Sequence, residues 1–267
     1  MSLTVTARQV PATPRTERSD DRIVLWQVVV GVVWLAIWEA TGWLTDSQWI
    51  SRPSLIVARL WQWLQGDLLL QLGTTVTEVF VGLFFGAVFG VAFGLWLGRS
   101  PTLATILRPI IVALYSVPLI ALAPLFIMFF GLDMQPKIIL VAIATFFLLF
   151  FNAFAGAQQV DADLIASIDL MGCNARERFV KVIAPACMVW IVGGIRIALP
   201  YALVGAVTAE MLAARRGMGF LLANAASEFD MTSLYTALFV LMLLGLAVSE
   251  AATWIERRVL RWRHAAE

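Results

Sequence analysis

The sequence predicts an all-α polytopic membrane protein with six transmembrane helices. Apolar residues make up 61% of the 267 residues and charged residues only 14%, whereas soluble domains contain about 45–50% and about 25%. The apolar residues also occur in long blocks, each near or above the roughly 20 residues that cross a bilayer. These blocks cover residues 23–43, 72–98, 109–130, 137–156, 186–212 and 234–255.

The first span follows a polar segment that contains several arginines. A secretory signal peptide has the same order of segments, but its apolar part has only about 7–15 residues and ends at a small-x-small cleavage site. The block at residues 23–43 is longer, and no such site follows it. It is therefore predicted to be the first transmembrane helix.

The second span carries a glycine at every fourth position: Gly82, Gly86, Gly90, Gly94 and Gly98. Small residues at this spacing let two helices approach closely in lipid. Two interpretations are open. The glycines pack against another helix of the same chain, or they form a sliding or dimer-forming surface.

The third span contains two prolines, Pro118 and Pro124. Each proline removes a backbone hydrogen bond and is expected to kink the helix, which is tolerated where protein or water satisfies the freed carbonyls. The span is therefore predicted to line a pore rather than to face lipid.

The candidate buried charges in the spans are Glu39, Glu78, Arg196, Glu210 and Glu250. A charge at the centre of a bilayer costs about 2.5–3.5 kcal/mol, so such side chains usually face the bundle interior and have a partner. Arg196 and Glu250 lie at similar depth and are predicted to pair, the alternative being that Arg196 extends to the inner interface. Glu78 is predicted to face an outer vestibule, and Glu39 and Glu210 to reach the outer interface.

Most of the 19 lysines and arginines lie in the loops on the same side as both termini. The positive-inside rule therefore predicts cytoplasmic N- and C-termini. The predicted organisation is a cytoplasmic segment at residues 1–22, a six-helix transmembrane domain at 23–256 and a cytoplasmic tail at 257–267.

The most polar internal stretch, residues 161–185, lies between the fourth and fifth spans on this same side. Its first half has apolar residues on one helical face, at Leu164, Ile168 and Met171. Gly172 can end this helix in a left-handed conformation. Asn174 and Glu177 have the spacing of a capping box that starts a second helix, and Pro185 suits the start of the next span.

The charged residues of this stretch include Asp163, Asp169, Arg176 and Arg178. The pattern predicts two short amphipathic helices that meet at Gly172 on the cytoplasmic face of the membrane. The alternative is a solvated loop that only connects two spans.

Several function classes are disfavoured by composition. The single histidine, His264, and the two cysteines, Cys173 and Cys187, offer neither a metal site nor a histidine-based catalytic centre. The net charge of +1 gives no sign of nucleic-acid binding. The chain also lacks the G-x-x-x-x-G-K-[ST] motif, so it has no P-loop of its own for ATP.

The polar stretch resembles a known family. A glycine, then nine residues, then an aliphatic-x-x-Pro sequence is found in the EAA loop of ABC importer permeases, and here these positions are Gly172, Val182 and Pro185. Ala166, Ser167 and Ile168 stand where the family has Glu-Ala-Ala, so the acidic residue is replaced, with Asp163 or Asp169 as the nearby acids. Residues 116–131, 194–225 and the ERRVLRW tail are similar to the nitrate/sulfonate/taurine branch of the family.

The resemblance implies a type I importer permease fold. It also implies several partners: a second permease subunit forming a homodimer, two ATPase subunits that bind ATP and magnesium, an extracytoplasmic substrate-binding protein, and membrane lipid. The chain itself would hold no cofactor and catalyse no reaction. It would lie in a bacterial inner membrane and admit a small anion such as nitrate, a sulfonate, taurine, bicarbonate or an aromatic acid.

The polar stretch would then couple the permease to the ATPase. The residues implied in this role are Asp163, Asp169, Gly172, Asn174, Arg176, Glu177, Arg178 and Pro185. The alternative function is a secondary transporter or channel without an ATPase. That class typically has ionisable residues clustered at mid-membrane or inverted repeats, whereas the charges here are scattered along the spans and no repeat is evident.

Overall fold

The computed structural model of the chain describes residues 18–45 and 49–260, and these residues form helices and their connections. The predicted cytoplasmic ends fall partly outside them, because residues 1–17 and 261–267 are not described. The described residues form two compact units, which divide between Leu55 and Ile56.

The α-helices, in chain order, are α1 (Arg18–Thr45), α2 (Pro53–Leu64), α3 (Leu68–Gly98), α4 (Pro101–Tyr115), α5 (Ala123–Phe130), α6 (Met134–Gln158), α7 (Ala162–Leu170), α8 (Ala175–Arg178), α9 (Ala184–Ala213), α10 (Met218–Ser227) and α11 (Met231–Val259). A 3₁₀ turn covers Leu119–Leu122, and a π-helical turn covers Phe179–Ile183.

Six membrane spans are present in the described residues, as predicted. Five helices are long and apolar enough to cross a membrane, and the sixth span is a bent pair formed by Pro101–Tyr115 and Leu119–Phe130. The helices extend a few residues beyond the predicted apolar blocks. The last of them reaches Val259, because charged residues continue a helix into the interface without having to enter the hydrocarbon.

The first unit contains α1 and the start of α2. From residue 23 to residue 45, the side chains of α1 are mostly apolar and exposed, as expected for a membrane span. Glu39, the acid near its end, accepts hydrogen bonds from the backbone N–H and hydroxyl of Ser54 at 3.0 and 2.8 Å. The carboxylate thus contributes to capping the first turn of α2.

The core of the second unit lies between α3, α6, α9 and α11. One cluster joins Leu83 of α3 and Leu149 of α6 to Leu199 of α9 and to Val248 and Ala252 of α11, all of them buried. Because α9 and α11 are antiparallel, the beginning of α9 and the end of α11 lie at the same end of the bundle.

The glycines of α3 pack against α6 of the same chain. A Cβ atom added to Gly90 would lie 2.6 Å from the carbonyl oxygen of Phe146, and one added to Gly94 would lie 2.6 Å from that of Phe150. Such distances are below any normal contact, so each position requires a residue without a side chain. The structure therefore supports the first interpretation, packing within the chain, because α6 already occupies this face.

The third span is broken at Pro118 rather than gently kinked. Helix α4 ends at Tyr115, Pro118 is extended with φ −66° and ψ 107°, and the two halves of the span meet at 73°. Pro124 lies in the first turn of α5, where the missing N–H would be unpaired in any case. The kink predicted at Pro124 is therefore wrong, since this proline begins a helix.

Candidate functional site

The segment between the fourth and fifth spans folds as two short helices with a bend. Gly172 follows α7 with φ +80°, the left-handed conformation expected of it. The Asn174 side chain accepts a hydrogen bond from the Glu177 N–H at 2.9 Å, and the Glu177 carboxylate accepts one from the Asn174 N–H at 3.3 Å. The predicted capping box is thus present and starts α8.

An ion pair braces the bend. Arg178 Nη1 donates to both carboxylate oxygens of Asp169, at 3.1 and 2.9 Å, and so ties α8 to α7. Lys181 Nζ pairs with Glu177 one turn away at 3.0 Å. Exposed pairs of this kind contribute about 0–1 kcal/mol each, so their main effect is to fix the geometry of the segment. Asp163 and Arg176 are exposed.

Helix α8 runs without interruption into the fifth span. The π-helical turn at Phe179–Ile183 joins α8 to α9, and Pro185 lies in the first turn of α9. A proline cannot donate to the carbonyl four residues earlier, and an extra residue per turn is one way to accommodate this loss.

The tip of the bend is apolar and uncovered. Leu170 is 90% exposed and Met171 is 82% exposed, which is unusual for large apolar side chains in a segment otherwise rich in charge. The sequence predicted that Met171 would lie on the apolar face of α7, but it did not single out Leu170. The available signal in the sequence was the position of Leu170 next to Met171, just before Gly172.

A second polar cluster lies at the opposite end of the bundle and is buried. Lys137, in the first turn of α6, forms an ion pair with Glu78 of α3, and both side chains are at most 5% exposed. Glu210, near the end of α9, is also buried. The structure therefore contradicts the predicted outer vestibule for Glu78 and the predicted interface position for Glu210. Both carboxyl groups are instead enclosed by protein, and each is held by a partner.

Glu210 and two α3 side chains cap the N-terminus of α10. Gln71 Oε1 accepts from the Gly217 N–H at 2.6 Å, Thr75 Oγ1 from the Met218 N–H at 2.9 Å, and Glu210 Oε2 from the Gly219 N–H at 2.7 Å. The Thr75 hydroxyl in turn donates to Glu210 Oε1 at 2.8 Å. The first amides of a helix have no partner within it, and here other elements supply the acceptors. The loop between α9 and α10 is thereby fixed to α3.

The roles of Gln71, Thr75 and Lys137 were not predicted from the sequence. Lys137 was placed at the very start of a span and so was not counted among the buried charges. The signal that could have found this cluster is that a lysine and two glutamates lie towards the same end of three different spans.

Arg196 pairs with Glu256 instead of the predicted Glu250. Its Nη1 lies 2.8 Å from Glu256 Oε2, whereas Glu250 is exposed. Side chains on a helix point back towards its N-terminus, and the N-terminus of α9 lies beside the C-terminus of α11. The arginine therefore reaches Glu256, which lies nearer the C-terminus of α11. The alternative prediction, that Arg196 extends to the inner interface, has the side chain pointing in this same direction.

A double-mutant cycle tests this pair. Because the Arg196 side chain is 56% exposed, we expect Arg196→Met and Glu256→Gln to be coupled by only about 0.2–1 kcal/mol in thermal unfolding of the purified protein. The matched cycle of Arg196→Met with Glu250→Gln should be additive. Coupling to Glu250 but not to Glu256 would contradict the structure.

Two of the cavities in the described part of the chain are relevant to the site. The first has about 90 Å³ and is bordered by the broken third span, α6 and α9, through residues such as Leu119, Ala144 and Tyr201. This volume is far below the roughly 300–1,000 Å³ of small-molecule sites. The second has about 610 Å³ and lies at the end of the bundle that holds the buried cluster.

Six apolar spans, with an exposed two-helix segment at one end and a fixed loop at the other, are the features of a multi-pass membrane transport subunit. Residues 82–261 match the family described as "Binding-protein-dependent transport system inner membrane component", and the chain belongs to this family. It is accordingly an ABC importer permease subunit and a multi-pass inner membrane protein. This finding decides against the alternative of a secondary transporter or channel.

Several relatives cover most of the chain. It is 29% identical to the aliphatic sulfonates transport permease protein SsuC of Bacillus subtilis, over 90% of this chain and 88% of the relative. It is 32% identical to SsuC of Escherichia coli, over 91% of this chain and 93% of the relative. It is 34% identical to the riboflavin transport system permease protein RibX of Chloroflexus aurantiacus, over 80% of each chain.

Among solved structures, the chain resembles a chain of the MetNI methionine ABC transporter in an inward facing conformation. The TM-score is 0.63 and the sequence identity 20%, over 74% of this chain and 96% of the other. At this identity the likeness shows the fold, which is the predicted type I importer permease fold.

Proposed function

We propose that two copies of this chain form the pore of an ATP-driven importer for a small organic anion, and that residues 161–185 couple each copy to a separate ATPase subunit. The observation that carries the proposal is the uncovered apolar tip at Leu170 and Met171. It lies at the end of a segment that a capping box and an ion pair hold in one shape.

The tip supports coupling because it combines rigidity with an unpaired apolar surface. Burying a Leu or Met side chain contributes about 1.5–3 kcal/mol, so a cleft in another protein would bind these two residues favourably. Asp169 and Asp163 are both exposed, but Asp169 is already paired with Arg178, whereas Asp163 forms no ion pair among the described residues. Asp163 is therefore the acid that we assign to the position of the missing EAA glutamate.

The proposed arrangement places the coupling segment and both termini in the cytoplasm. The distribution of lysine and arginine supports this orientation. The two ATPase subunits would bind ATP and magnesium, since the chain has no P-loop sequence of its own. The family description refers to a binding protein, and in our proposal this protein delivers the solute at the opposite end.

The homodimer is supported by the small cavity at the third span. Leu119, Ile120 and Tyr201 border a space of only about 90 Å³, and a second copy facing this surface would enclose a larger one. The solute class follows from the two SsuC relatives, whose name refers to aliphatic sulfonates. A sulfonate is the probe that we would use first.

Gly172→Val tests the coupling role. Valine strains a left-handed position by about 1–2 kcal/mol, and no atom lies within 4 Å of a Cβ placed there, so the effect acts through the backbone alone. We expect membrane insertion to be normal, while uptake of ethanesulfonate into proteoliposomes containing the ATPase and the binding protein falls severalfold relative to ATP hydrolysis.

Gly172→Asn is the matched control, because asparagine tolerates this conformation. It should retain most of the coupling. Full uptake by the valine variant, with unchanged ATP hydrolysis, would remove the support for this role.

A further inference from the structure

The larger cavity, of about 610 Å³, lies where the N-terminus of α6 meets the loop between α9 and α10. Its lining includes Thr74, Asp133, Gln135, Lys137, Arg215 and Arg216. The volume falls within the range of small-molecule sites, roughly 300–1,000 Å³. Leu132 and Met134 complete the lining, so the wall combines apolar surface with several charged groups, unlike the apolar cavity at the third span.

Two cationic side chains of the cavity wall form no ion pair among the described residues. Arg215 and Arg216 are exposed, and neither has an ion-pair partner within residues 18–45 and 49–260. By contrast, Lys137 in the same wall is paired with Glu78. Asp133 is the single carboxylate of the lining, so the cavity carries a surplus of positive charge.

The backbone directly after the arginines is fixed to other elements. The arginines directly precede Gly217, whose N–H donates to Gln71, and the next two amides are bound by Thr75 and Glu210. A loop fixed in advance loses less conformational entropy when it binds a ligand. The N-terminus of α6, which has no side-chain cap hydrogen bond, adds a partial positive charge to the same wall.

We propose that this cavity receives the acidic group of the transported anion, a sulfonate or carboxylate, before the solute enters the pore. The planar guanidinium groups of Arg215 and Arg216 donate paired hydrogen bonds to two oxygens of such a group. The assignment rests on the proposed function for the class of solute. It adds a binding site on the permease itself, at its extracytoplasmic mouth.

The test uses the permease assembled with its ATPase in lipid nanodiscs. Phenylglyoxal modifies accessible arginines, and mass spectrometry reports the modification rate at Arg215 and Arg216. At about ten times its Kd, ethanesulfonate should lower this rate by about tenfold. Ethyl methyl sulfone, which lacks the charge, and chloride at equal ionic strength should not. Arg257 and Arg258, at the other end of the bundle, should be modified at an unchanged rate in all three cases.

The outcomes distinguish a solute anion from the binding protein as the partner of the two arginines. Protection by ethanesulfonate supports the site. If only the ligand-free binding protein protects the arginines, they belong to a protein-docking surface and the proposal is overturned. Absence of protection by both the anion and the binding protein would also overturn it. Because this measurement does not depend on transport, protection without ATP-driven uptake would refute the proposed function while leaving the anion site in place.

A variant provides the functional arm. Arg215→Gln with Arg216→Gln should lower kcat/KM for ethanesulfonate uptake by about tenfold or more, without changing the affinity of the binding protein for the permease. Arg257→Gln with Arg258→Gln removes the same charge elsewhere and should have little effect. Equal uptake by the two double variants would contradict the proposal.

Discussion

Replacing Lys137 by methionine is expected to cause the largest loss of stability among the substitutions considered for this chain. The ammonium group pairs directly with the buried Glu78 carboxyl group, and the buried Glu210 carboxyl group lies in the same cluster. Without the ammonium group, the carboxyl groups remain buried and lack their counter-charge. Breaking a buried pair in this way costs about 3–5 kcal/mol. Thermal unfolding of the purified protein, followed by size-exclusion chromatography, would measure the effect.

Two comparisons make this prediction specific. Lys181→Met removes a lysine whose pair with Glu177 is largely exposed, so its effect should stay within about 1 kcal/mol. The double variant Glu78→Met with Lys137→Met replaces the pair by apolar side chains and should recover much of the loss. If Lys137→Met were as stable as Lys181→Met, the buried pair would contribute little.

Gly90→Ala is expected to separate α3 from α6. The added carbon would lie 2.6 Å from the Phe146 carbonyl oxygen and 3.2 Å from the Phe146 Cα atom. These are backbone atoms, which cannot rotate away as a side chain could. Overpacking costs about 1–3 kcal/mol, and it should outweigh the 0.5–1 kcal/mol or so that alanine usually contributes in a helix interior. The midpoint of thermal unfolding and the yield of folded protein should both fall.

Gly193→Ala is the matched control for that substitution. Gly193 also lies in a transmembrane helix, α9, but a Cβ there would meet no atom within 4 Å. We expect this variant to be as stable as the wild type or slightly more stable. Equal effects of alanine at positions 90 and 193 would show that the close approach of α3 and α6 does not contribute to stability.

The local features of the fold were predictable from the sequence. The six spans follow from the lengths of the apolar blocks, and the bend at Gly172 and the capping box at Asn174 depend on residues within three positions of each other. Each of these features is decided by its own segment, since it needs no information about which helices are neighbours. The roles of Asp163, Arg176 and the other coupling residues remain predictions.

The features that require knowledge of neighbouring helices were not predictable. Thr75 and Glu210 are 135 positions apart and meet only because α3 and α9 pack together. Depth alone suggested Glu250 as the partner of Arg196. It could not show that the arginine points towards the start of its helix, where Glu256 lies one to two turns further along α11.

The uninterrupted helix from α8 through α9 has a mechanical consequence. Residues Ala175–Leu212 form a run of 38 residues, roughly 57 Å long at 1.5 Å per residue. The hydrocarbon of a bilayer is only about 30 Å thick, so this helix extends well beyond the hydrocarbon. One end begins at the capping box of Asn174, and the other carries Glu210, bonded to the Gly219 amide. A tilt of one degree about either end would displace the opposite end by roughly 1 Å over this length. Under the proposed coupling, a small rotation of this helix at its Asn174 end would therefore move the loop that Glu210 holds by a distance that matters to a hydrogen bond.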